Sequence, residues 1–220
     1  MTLPTPTTRH LAAAALLLAF LLAGCQASAV PPDGREPIVG GPCEGCELVF
    51  EGMPETLAAR ARIAPAGEPG EPMVLEGTVR RPDGTPAAGV IVYAYHTDAG
   101  GIYPRAATRH GRLRGWARTD ETGAYRFDTI RPGAYPTRTA PQHVHMHVVE
   151  PGRATYWIDD VNFTDDPLFD AERERRSGRT PRGGSGVVAP ERGPDGTWRA
   201  RRDVVLGRGV PGYERVGGRG

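Results

Sequence analysis

Short segments in which apolar and polar residues alternate recur along the middle of the chain. Because successive side chains of a β-strand point to opposite faces, this alternation predicts strands with one buried face. The predicted strands span residues 73–79, 90–96, 114–119, 124–130, 143–150, 154–163 and 197–206. Turn-forming residues lie between them, including an Asp83-Gly84 pair that is typical of a tight hairpin. Many short strands separated by turns predict an all-β fold, a β-sandwich with short irregular N- and C-terminal extensions.

The composition supports this fold class and limits the choice of partners. The 220-residue chain contains 30 Gly and 22 Pro, which favours turns and short strands over long helices. Only residues 55–61 have the composition of one or two helical turns. The net charge is +1, so no large basic patch is indicated and nucleic acid is not an expected partner.

The N-terminus has the pattern of a targeting signal. Arg9 precedes an apolar run from Leu11 to Leu22, and Ala-Gly-Cys follows it. This pattern predicts a signal peptide over residues 1–24. The Leu-Ala-Gly-Cys sequence resembles a bacterial lipobox, which implies cleavage before Cys25 and attachment of lipid to that residue. Gln26 favours the outer membrane by analogy with lipoprotein sorting. Ordinary secretion with a free cysteine is the alternative.

The mature chain is then expected to have three parts, all outside the cytoplasm. Residues 25–42 are rich in Pro, Gly and Asp, and they predict a flexible tether between the lipid anchor and the domain. Residues 43–210 form the β-sandwich domain. Residues 211–220 are rich in Gly and Arg, and they predict a disordered tail.

Cys43 and Cys46 form a Cys-Glu-Gly-Cys motif just before the predicted domain. Outside the cytoplasm such a pair tends to oxidise, so we expect a structural disulfide. A zinc site would need two further ligands at a suitable spacing, and Cys25 is the only other cysteine. A redox role is also open, although no thioredoxin-like βαβ pattern surrounds the motif.

Three of the six histidines lie at alternate positions of one predicted strand. His143, His145 and His147 therefore point to the same face, while the apolar residues 144, 146 and 148 point to the core. Two imidazoles one strand step apart on one face can share a metal ion. The alternative is a polar strand face on which the histidines cluster by chance.

Two tyrosines narrow the choice of metal. Tyr135 lies in a Gly-Ala-Tyr-Pro turn, and Tyr103 ends a glycine-rich loop after the most β-prone strand. Two histidines alone would suit zinc, copper or iron. A phenol binds metal only as phenolate, and its usual pKa is near 10, so a strongly Lewis-acidic cation is needed to stabilise the anion. Ferric iron, a hard trivalent ion, meets this need.

Four motifs together resemble the intradiol ring-cleavage dioxygenases, the family that contains protocatechuate 3,4-dioxygenase and catechol 1,2-dioxygenase. The motifs are Ala-Gly-Gly-Ile-Tyr at 99–103, Thr-Asp-Glu-Thr-Gly-Ala-Tyr-Arg-Phe at 119–127, Thr-Ile-Arg-Pro-Gly-Ala-Tyr-Pro at 129–136 and Pro-Gln-His-Val-His at 141–145. The resemblance extends from about Met73 to Phe169. Each motif alone is weak evidence, but the combination is specific.

The resemblance implies a site and a reaction. Tyr103, Tyr135, His143 and His145 would hold a non-haem Fe(III), and Tyr135 would leave the metal when substrate binds. The substrate would be a catechol, and O2 would be inserted between its two hydroxyl-bearing carbons to give a muconate-type dicarboxylic acid. The best-known relatives form dimers or larger assemblies, so a homodimer is possible.

The chain departs from the family at one position. The family usually has an arginine three residues before the first histidine, where this chain has Ala140. We expect Arg138 to take over the stabilisation of negative charge on the substrate ring, with Arg131 as a second candidate. His147 lies beyond the family's histidine pair. We expect it beside the metal ligands or on the surface, not bound to the metal.

Two other functions are compatible with the sequence. Residues 77–90 and 119–125 also resemble prealbumin-like and carboxypeptidase-regulatory-like β-sandwich modules, which bind partners or act as spacers without catalysis. A copper or zinc site made of His143, His145 and His147 is the other possibility. The set of two tyrosines and two histidines favours the dioxygenase, because a spacer module has no use for it.

Overall fold

The computed structural model describes residues 35–43, 45–106, 108–171 and 178–216. This part of the chain folds into two packed β-sheets, so the predicted all-β sandwich is confirmed. None of the helices in these ranges is long and apolar enough to cross a membrane. The predicted signal peptide and the lipidation site at Cys25 lie outside the described residues.

Eleven strands and two short 3₁₀ helices make up the described fold. In chain order the strands are β1 (Arg60–Arg62), β2 (Pro72–Arg80), β3 (Ile91–Tyr95), β4 (Arg114–Arg118), β5 (Ala124–Ile130), β6 (His143–Glu150), β7 (Ala154–Phe163), β8 (Val187–Val188), β9 (Glu191–Arg192), β10 (Trp198–Arg201) and β11 (Val204–Val205). The 3₁₀ helices span Cys46–Phe50 and Tyr213–Arg215.

The two sheets divide the strands so that neighbours in sequence are often in different sheets. The first sheet has the order β1-β5-β2-β10-β9, and β11 also pairs with β2. The second has the order β4-β3-β6-β7-β8. The Asp83-Gly84 turn forms as predicted, but the strands on its two sides belong to different sheets. The expected hairpin is therefore reduced to a single bridge between Arg80 and Pro86.

The core lies between the sheets, and a smaller apolar cluster covers the outer face of the second sheet. Val144, Met146 and Val148 of β6 are buried in the core, as the alternation predicts. On the other face, Trp116 packs in the smaller cluster and its indole N–H donates to the carbonyl of Val49 at 2.6 Å. The outer face is thus covered by the segment that follows the Cys-Glu-Gly-Cys motif.

Two predictions about secondary structure are wrong. Residues 55–61 form no helix, because the chain there runs along β5, where Arg60 pairs in parallel with Arg126. The predicted strand 197–206 is interrupted at Arg202. The Arg202 side chain turns inward, is 1% exposed, and donates to three backbone carbonyls between residues 182 and 184. A buried guanidinium needs acceptors nearby, and both terminal nitrogens of Arg202 find them in backbone carbonyls. The inward turn of this side chain separates β10 from β11.

Both predicted extensions are partly folded onto the domain. The tether was expected to be flexible through residue 42, but the backbone of Val39 donates to the carbonyl of Thr155 at 2.9 Å. The tail was expected to be disordered from residue 211, but Tyr213 is 4% exposed. Its hydroxyl donates to the carboxylate of Glu150 at 3.1 Å. Packing against β6 and β7 therefore overrides the loop-like composition of both segments.

A buried histidine, His96, joins the end of β3 to β5. Its Nδ1–H donates to the carbonyl of Thr97 at 2.6 Å, and its Nε2 accepts from the hydroxyl of Thr129 at 2.6 Å. The neutral ring satisfies both bonds. Burial lowers the pKa of His96 to about 4, so the folded protein resists a proton that the unfolded chain accepts near pH 6.5.

Lowering the pH from about 6.5 to about 4 should therefore destabilise the metal-free protein, with about 3 kcal/mol coming from His96. We expect the loss of free energy of unfolding to be smaller in His96→Gln than in the wild type, although His96→Gln will be less stable at neutral pH. Urea unfolding across this pH range measures the difference. Thr129→Val is the control, because it removes a partner and keeps the titrating ring. A difference between wild type and His96→Gln that does not change with pH would contradict this account.

Candidate metal centre

The structure brings the four predicted ligands to one point. The hydroxyl oxygens of Tyr103 and Tyr135 are 3.0 Å apart, and the Tyr135 oxygen is 3.2 Å from Nε2 of His143. Nε2 of His143 is in turn 3.2 Å from Nε2 of His145. Residues from two loops and one strand thus direct their metal-binding atoms at a common position.

The hydrogen bonds of His143 and His145 fix which ring nitrogen of each residue carries the proton and which is left to bind a metal ion. Nδ1 of His143 lies 2.7 Å from the carbonyl oxygen of Pro141, and Nδ1 of His145 lies 3.0 Å from a carboxylate oxygen of Asp160. Both partners only accept, so both Nδ1 atoms carry the proton. Each Nε2 therefore presents a lone pair. Two lone pairs that face each other across 3.2 Å have no hydrogen bond between them unless a proton or a metal ion is added.

A register shift between β6 and β7 places Asp160 against His145. Val144 pairs with Val161 and Met146 pairs with Ile158, so β7 has two residues, Asp159 and Asp160, where β6 has only His145. Such a bulge redirects side chains next to a site. Burial tends to raise the pKa of Asp160, but the hydrogen bond from His145 and the neighbouring imidazoles hold it below its usual value. Asp160 is therefore an anion that orients His145.

The two tyrosines are positioned by close packing of their loops. The backbone N–H of Gly133 donates to the carbonyl of Asp98 at 2.8 Å. A β-carbon on Gly133 would lie 2.5 Å from both the carbonyl oxygen of Ala99 and the backbone nitrogen of Gly101. Gly101 has a φ of +80° and would overlap the backbone of the Tyr135 loop if it carried a side chain. Glycine at both positions lets the loops touch, and the phenol oxygens meet as a result.

The donor set fits a trivalent first-row metal ion. Ligand atoms about 2.1 Å from one ion are about 3.0–3.4 Å apart, which agrees with the three separations. Burial and the neighbouring Tyr135 raise the pKa of Tyr103, so its phenol stays protonated unless a strong cation is present. Two phenol oxygens and two imidazole nitrogens therefore suit ferric iron better than a softer divalent ion.

His147 does not join this set. It is 3% exposed and its Nε2 faces the sulfur of Cys43 at 3.7 Å. The alternative of a site made of three histidines is thus not formed, because His143 and His145 face the tyrosines instead. His147 is buried beside the ligands, and the expectation that it is not one of them agrees with this position. Cys43 and Cys46 form a disulfide in the structure.

A cavity of about 590 Å³ adjoins three of the four donors. Tyr103, Tyr135 and His145 form part of its wall, and Tyr95 stacks on the ring of His145 with 4.7 Å between the ring centroids. Trp157 adds a further aromatic side. The volume lies in the range typical of small-molecule sites, and the mixture of rings and a few polar groups suits an aromatic ligand.

The arginines are not placed as the sequence suggested. Arg138 is exposed, has a φ of +53°, and lines a separate cavity of about 340 Å³ on the other side of Tyr135. Arg131 is bonded to Gln142 and Asp165. The main cavity is instead lined by Arg109 and Arg179. The position of Arg138 gives no support to the role predicted for it.

Sequence reasoning missed Asp160, Tyr95 and the two arginines of the cavity. A signal for Asp160 was present, since Asp159 and Asp160 are adjacent acidic residues that break the alternation of a predicted strand. Such a break is typical of a bulge. The arginines carried no signal, because loop residues far apart in the chain line the cavity together.

Comparisons with known proteins identify related dioxygenases. The sequence model of the dioxygenase family matches residues 50–176. The chain is 33% identical over 160 residues to catechol 1,2-dioxygenase 1 of Acinetobacter lwoffii, covering 62% of this chain and 51% of that protein. It is 31% identical over 116 residues to the protocatechuate 3,4-dioxygenase beta chain of Burkholderia cepacia, covering 47% and 49%. The chain thus spans about half the length of these relatives.

Solved structures show the same fold. The dioxygenase domain of a dioxygenase carbohydrate-binding protein fusion from Streptomyces sp. SirexAA-E matches with a TM-score of 0.54 and 23% identity, covering 71% of this chain and 94% of that one. Catechol 1,2-dioxygenase from Acinetobacter sp. ADP1 matches with a TM-score of 0.51 and 22% identity, covering 69% and 57%. The family match over more than half of the sequence decides the assignment: the chain belongs to the intradiol dioxygenase family.

Proposed function

We propose that this protein is a non-haem iron dioxygenase that cleaves a catechol between its two hydroxyl-bearing carbons, adding both atoms of O2 to give a muconate-type dicarboxylic acid. The observation that carries the proposal is the meeting of Tyr103, Tyr135, His143 and His145 beside a cavity of aromatic character. The family depends on non-haem iron, and these four residues would hold it as Fe(III).

Ferric iron, when bound, would supply the Lewis acidity that makes an electron-rich diol reactive towards oxygen. The residues of the chain would position the substrate and accept its protons. Tyr135 lines both cavities, so its phenol has space to move away from the other three ligands. Its oxygen would accept a proton from one substrate hydroxyl as it leaves. Tyr103 and His145 would stay in place, the first held by its loop and the second by Asp160.

The walls of the cavity would orient the substrate ring. Trp157 lines the cavity with an aromatic ring, against which a flat ring packs favourably. Tyr95 is stacked on His110 and His145 and supports the wall from behind. Arg109 and Arg179 bring positive charge to the same cavity, although Glu47 and Asp159 partly balance it. These arginines, and not Arg138, are the groups placed to attract negative charge on a substrate.

Replacement of either tyrosine should weaken the colour of the iron protein. Tyrosinate bound to ferric iron absorbs visible light, so we expect wild-type protein loaded with iron to be burgundy. Tyr103→Phe and Tyr135→Phe each keep one tyrosinate, so each should lose part of this absorption, and the double variant should lose all of it. Each single variant should also lose at least about 100-fold of the rate of oxygen uptake with a panel of catechols. Tyr213→Phe, far from the site, is the matched control. Wild-type protein that stays colourless and iron-free after iron supplementation would instead favour a non-catalytic binding module.

Asp160→Asn should weaken iron binding without abolishing it. The variant removes the negative charge that orients His145 towards the metal position. Loss of such a partner typically lowers metal affinity by about 10–100-fold. Competition with an iron chelator measures the change. Asp159→Asn is the control, since this neighbouring carboxylate pairs with Arg179 at 2.6 Å and not with a histidine. An equal loss in both variants would mean that the bulge as a whole matters and not the Asp160–His145 bond.

We also propose that the protein is held by lipid on Cys25 at the outer membrane, on its periplasmic or its surface side. The domain of residues 43–210 would then act outside the cytoplasm. The apolar run before Leu-Ala-Gly-Cys supports this proposal. Cells fed a labelled fatty acid should label the wild type, and Cys25→Ser should carry no label. Label on both would place the lipid elsewhere, and label on neither would exclude an anchor. Association as a homodimer stays a prediction.

A further inference from the structure

The outer face of β6 carries a second group of metal-binding atoms beside the four described above. Nε2 of His147 is 3.7 Å from the sulfur of Cys43. The sulfurs of Cys43 and Cys46 and a ring nitrogen of His147 all lie within 4.8 Å of one another. His147 and Cys46 are buried, whereas Cys43 is half-buried and lines the main cavity, through which solvent can reach the group.

A fourth side chain, His110, adjoins the same group. It is 3% exposed, and a β-carbon added to Gly45, inside the Cys-Glu-Gly-Cys motif, would lie 2.2 Å from its Nε2. His110 is a neighbour of the group and not one of the three residues whose ligand atoms all lie within 4.8 Å of one another. Its other nitrogen lies 2.9 Å from the hydroxyl of Tyr93, which fixes the ring. The ring centroids of His110 and His147 are 6.0 Å apart.

Polar atoms in this group lack partners. Nε2 of His110 and Nδ1 of His147 are buried without any hydrogen bond. A buried polar group without a partner costs about 1–3 kcal/mol, and such a group often marks a missing water or ion. Nε2 of His147 faces the sulfur of Cys43, so its unpartnered Nδ1 does not point at the group. The unpartnered Nε2 of His110 lies beside the Cys-Glu-Gly-Cys motif, and it points to a ligand with a preference for nitrogen and sulfur.

The geometry fits a tetrahedral zinc ion. Zinc binds thiolate at about 2.3 Å and imidazole at about 2.05 Å, so a sulfur and a nitrogen on one ion are about 3.6 Å apart. The Cys43–His147 separation of 3.7 Å is close to this value. The spacing of two residues between the cysteines is also that of many zinc sites. The fold supplies His147 as a third ligand and brings His110 next to it as the nearest candidate for the fourth.

We propose that Cys43, Cys46, His147 and His110 form a zinc site that exists only when the cysteines are reduced. Two equivalents of an external thiol would reduce the disulfide with two electrons and two protons and would be joined to each other as a disulfide. Zn²⁺ would then bind the two thiolates, with release of the two protons, and the two imidazoles. In the oxidised protein the sulfurs are bonded to each other and cannot both bind the ion.

The zinc site would share a wall with the proposed iron site. Cys43 and His147 line the same cavity as His145 and Tyr103. The two sites use different atoms, however, and His147 lies two strand steps from His143. The zinc site therefore stands independently of the proposed iron chemistry and is tested without an activity measurement.

The test compares zinc content in two redox states of the purified protein. Oxidised protein and protein reduced by a phosphine are each exposed to Zn²⁺, freed from unbound metal and analysed. We expect the reduced protein to hold one more zinc ion than the oxidised protein. With Co²⁺ in place of zinc, the reduced protein should show the strong visible bands of a tetrahedral ion and thiolate-to-metal charge transfer.

Variants separate this site from the iron site. Cys43→Ser/Cys46→Ser and His147→Asn should lose the additional ion, while His110→Asn should bind it at least about 10-fold more weakly. His143→Ala, in the proposed iron site, should keep it. Circular dichroism checks that each variant is folded, and Cys46→Ser alone provides a second thiol variant if the double replacement is unstable. Equal zinc content in both redox states, or an additional ion retained by the folded cysteine variants, would overturn the proposal.

Discussion

Two imidazole nitrogens, each with a lone pair, face one another across 3.2 Å on the outer face of β6. The carbonyl of Pro141 and the carboxylate of Asp160 take the protons of the opposite nitrogens, so neither ring can relieve the contact by donating to the other. A fold that holds two lone pairs in this way is arranged around a positive charge. The two phenol oxygens that complete the group become good ligands only when such a charge is present, because burial otherwise keeps Tyr103 protonated.

The rest of the molecule can be understood as support for that contact. The core face of β6 fixes the strand, and the opposite face then projects its histidines towards the loops. The bulge on β7 adds one residue opposite His145 and so turns the carboxylate of Asp160 towards that ring. Glycines at positions 101 and 133 allow two loops to pack backbone against backbone, which a side chain at either position would prevent. Each of these features restricts the position of a metal-binding side chain, and together they leave the four donor atoms little freedom to move.

The face of β6 also divides its histidines between two chemical environments. His143 and His145 meet oxygen donors, whereas His147, one strand step further on, meets sulfur. Strand geometry explains the division, since each step of two residues moves a side chain about 7 Å. His143 and His147 therefore start about 14 Å apart, and three imidazoles in a row cannot all reach one ion. The hard donors suit a trivalent cation and the softer donors a divalent one. One regular strand can thus present two metal preferences in adjacent positions.

The sequence by itself determined the fold class and the identity of the four residues that meet. Alternation with a period of two is a local property, so it places His143 and His145 on one face whatever the rest of the chain does. Only the tertiary structure decided that Asp160 orients His145 and that Arg138 points away. It likewise decided that Cys43 lies against His147, and that the ends of the domain pack on β6 and β7. These contacts depend on the register between strands and on the closure of loops between residues far apart in the chain, and neither is encoded in a local pattern.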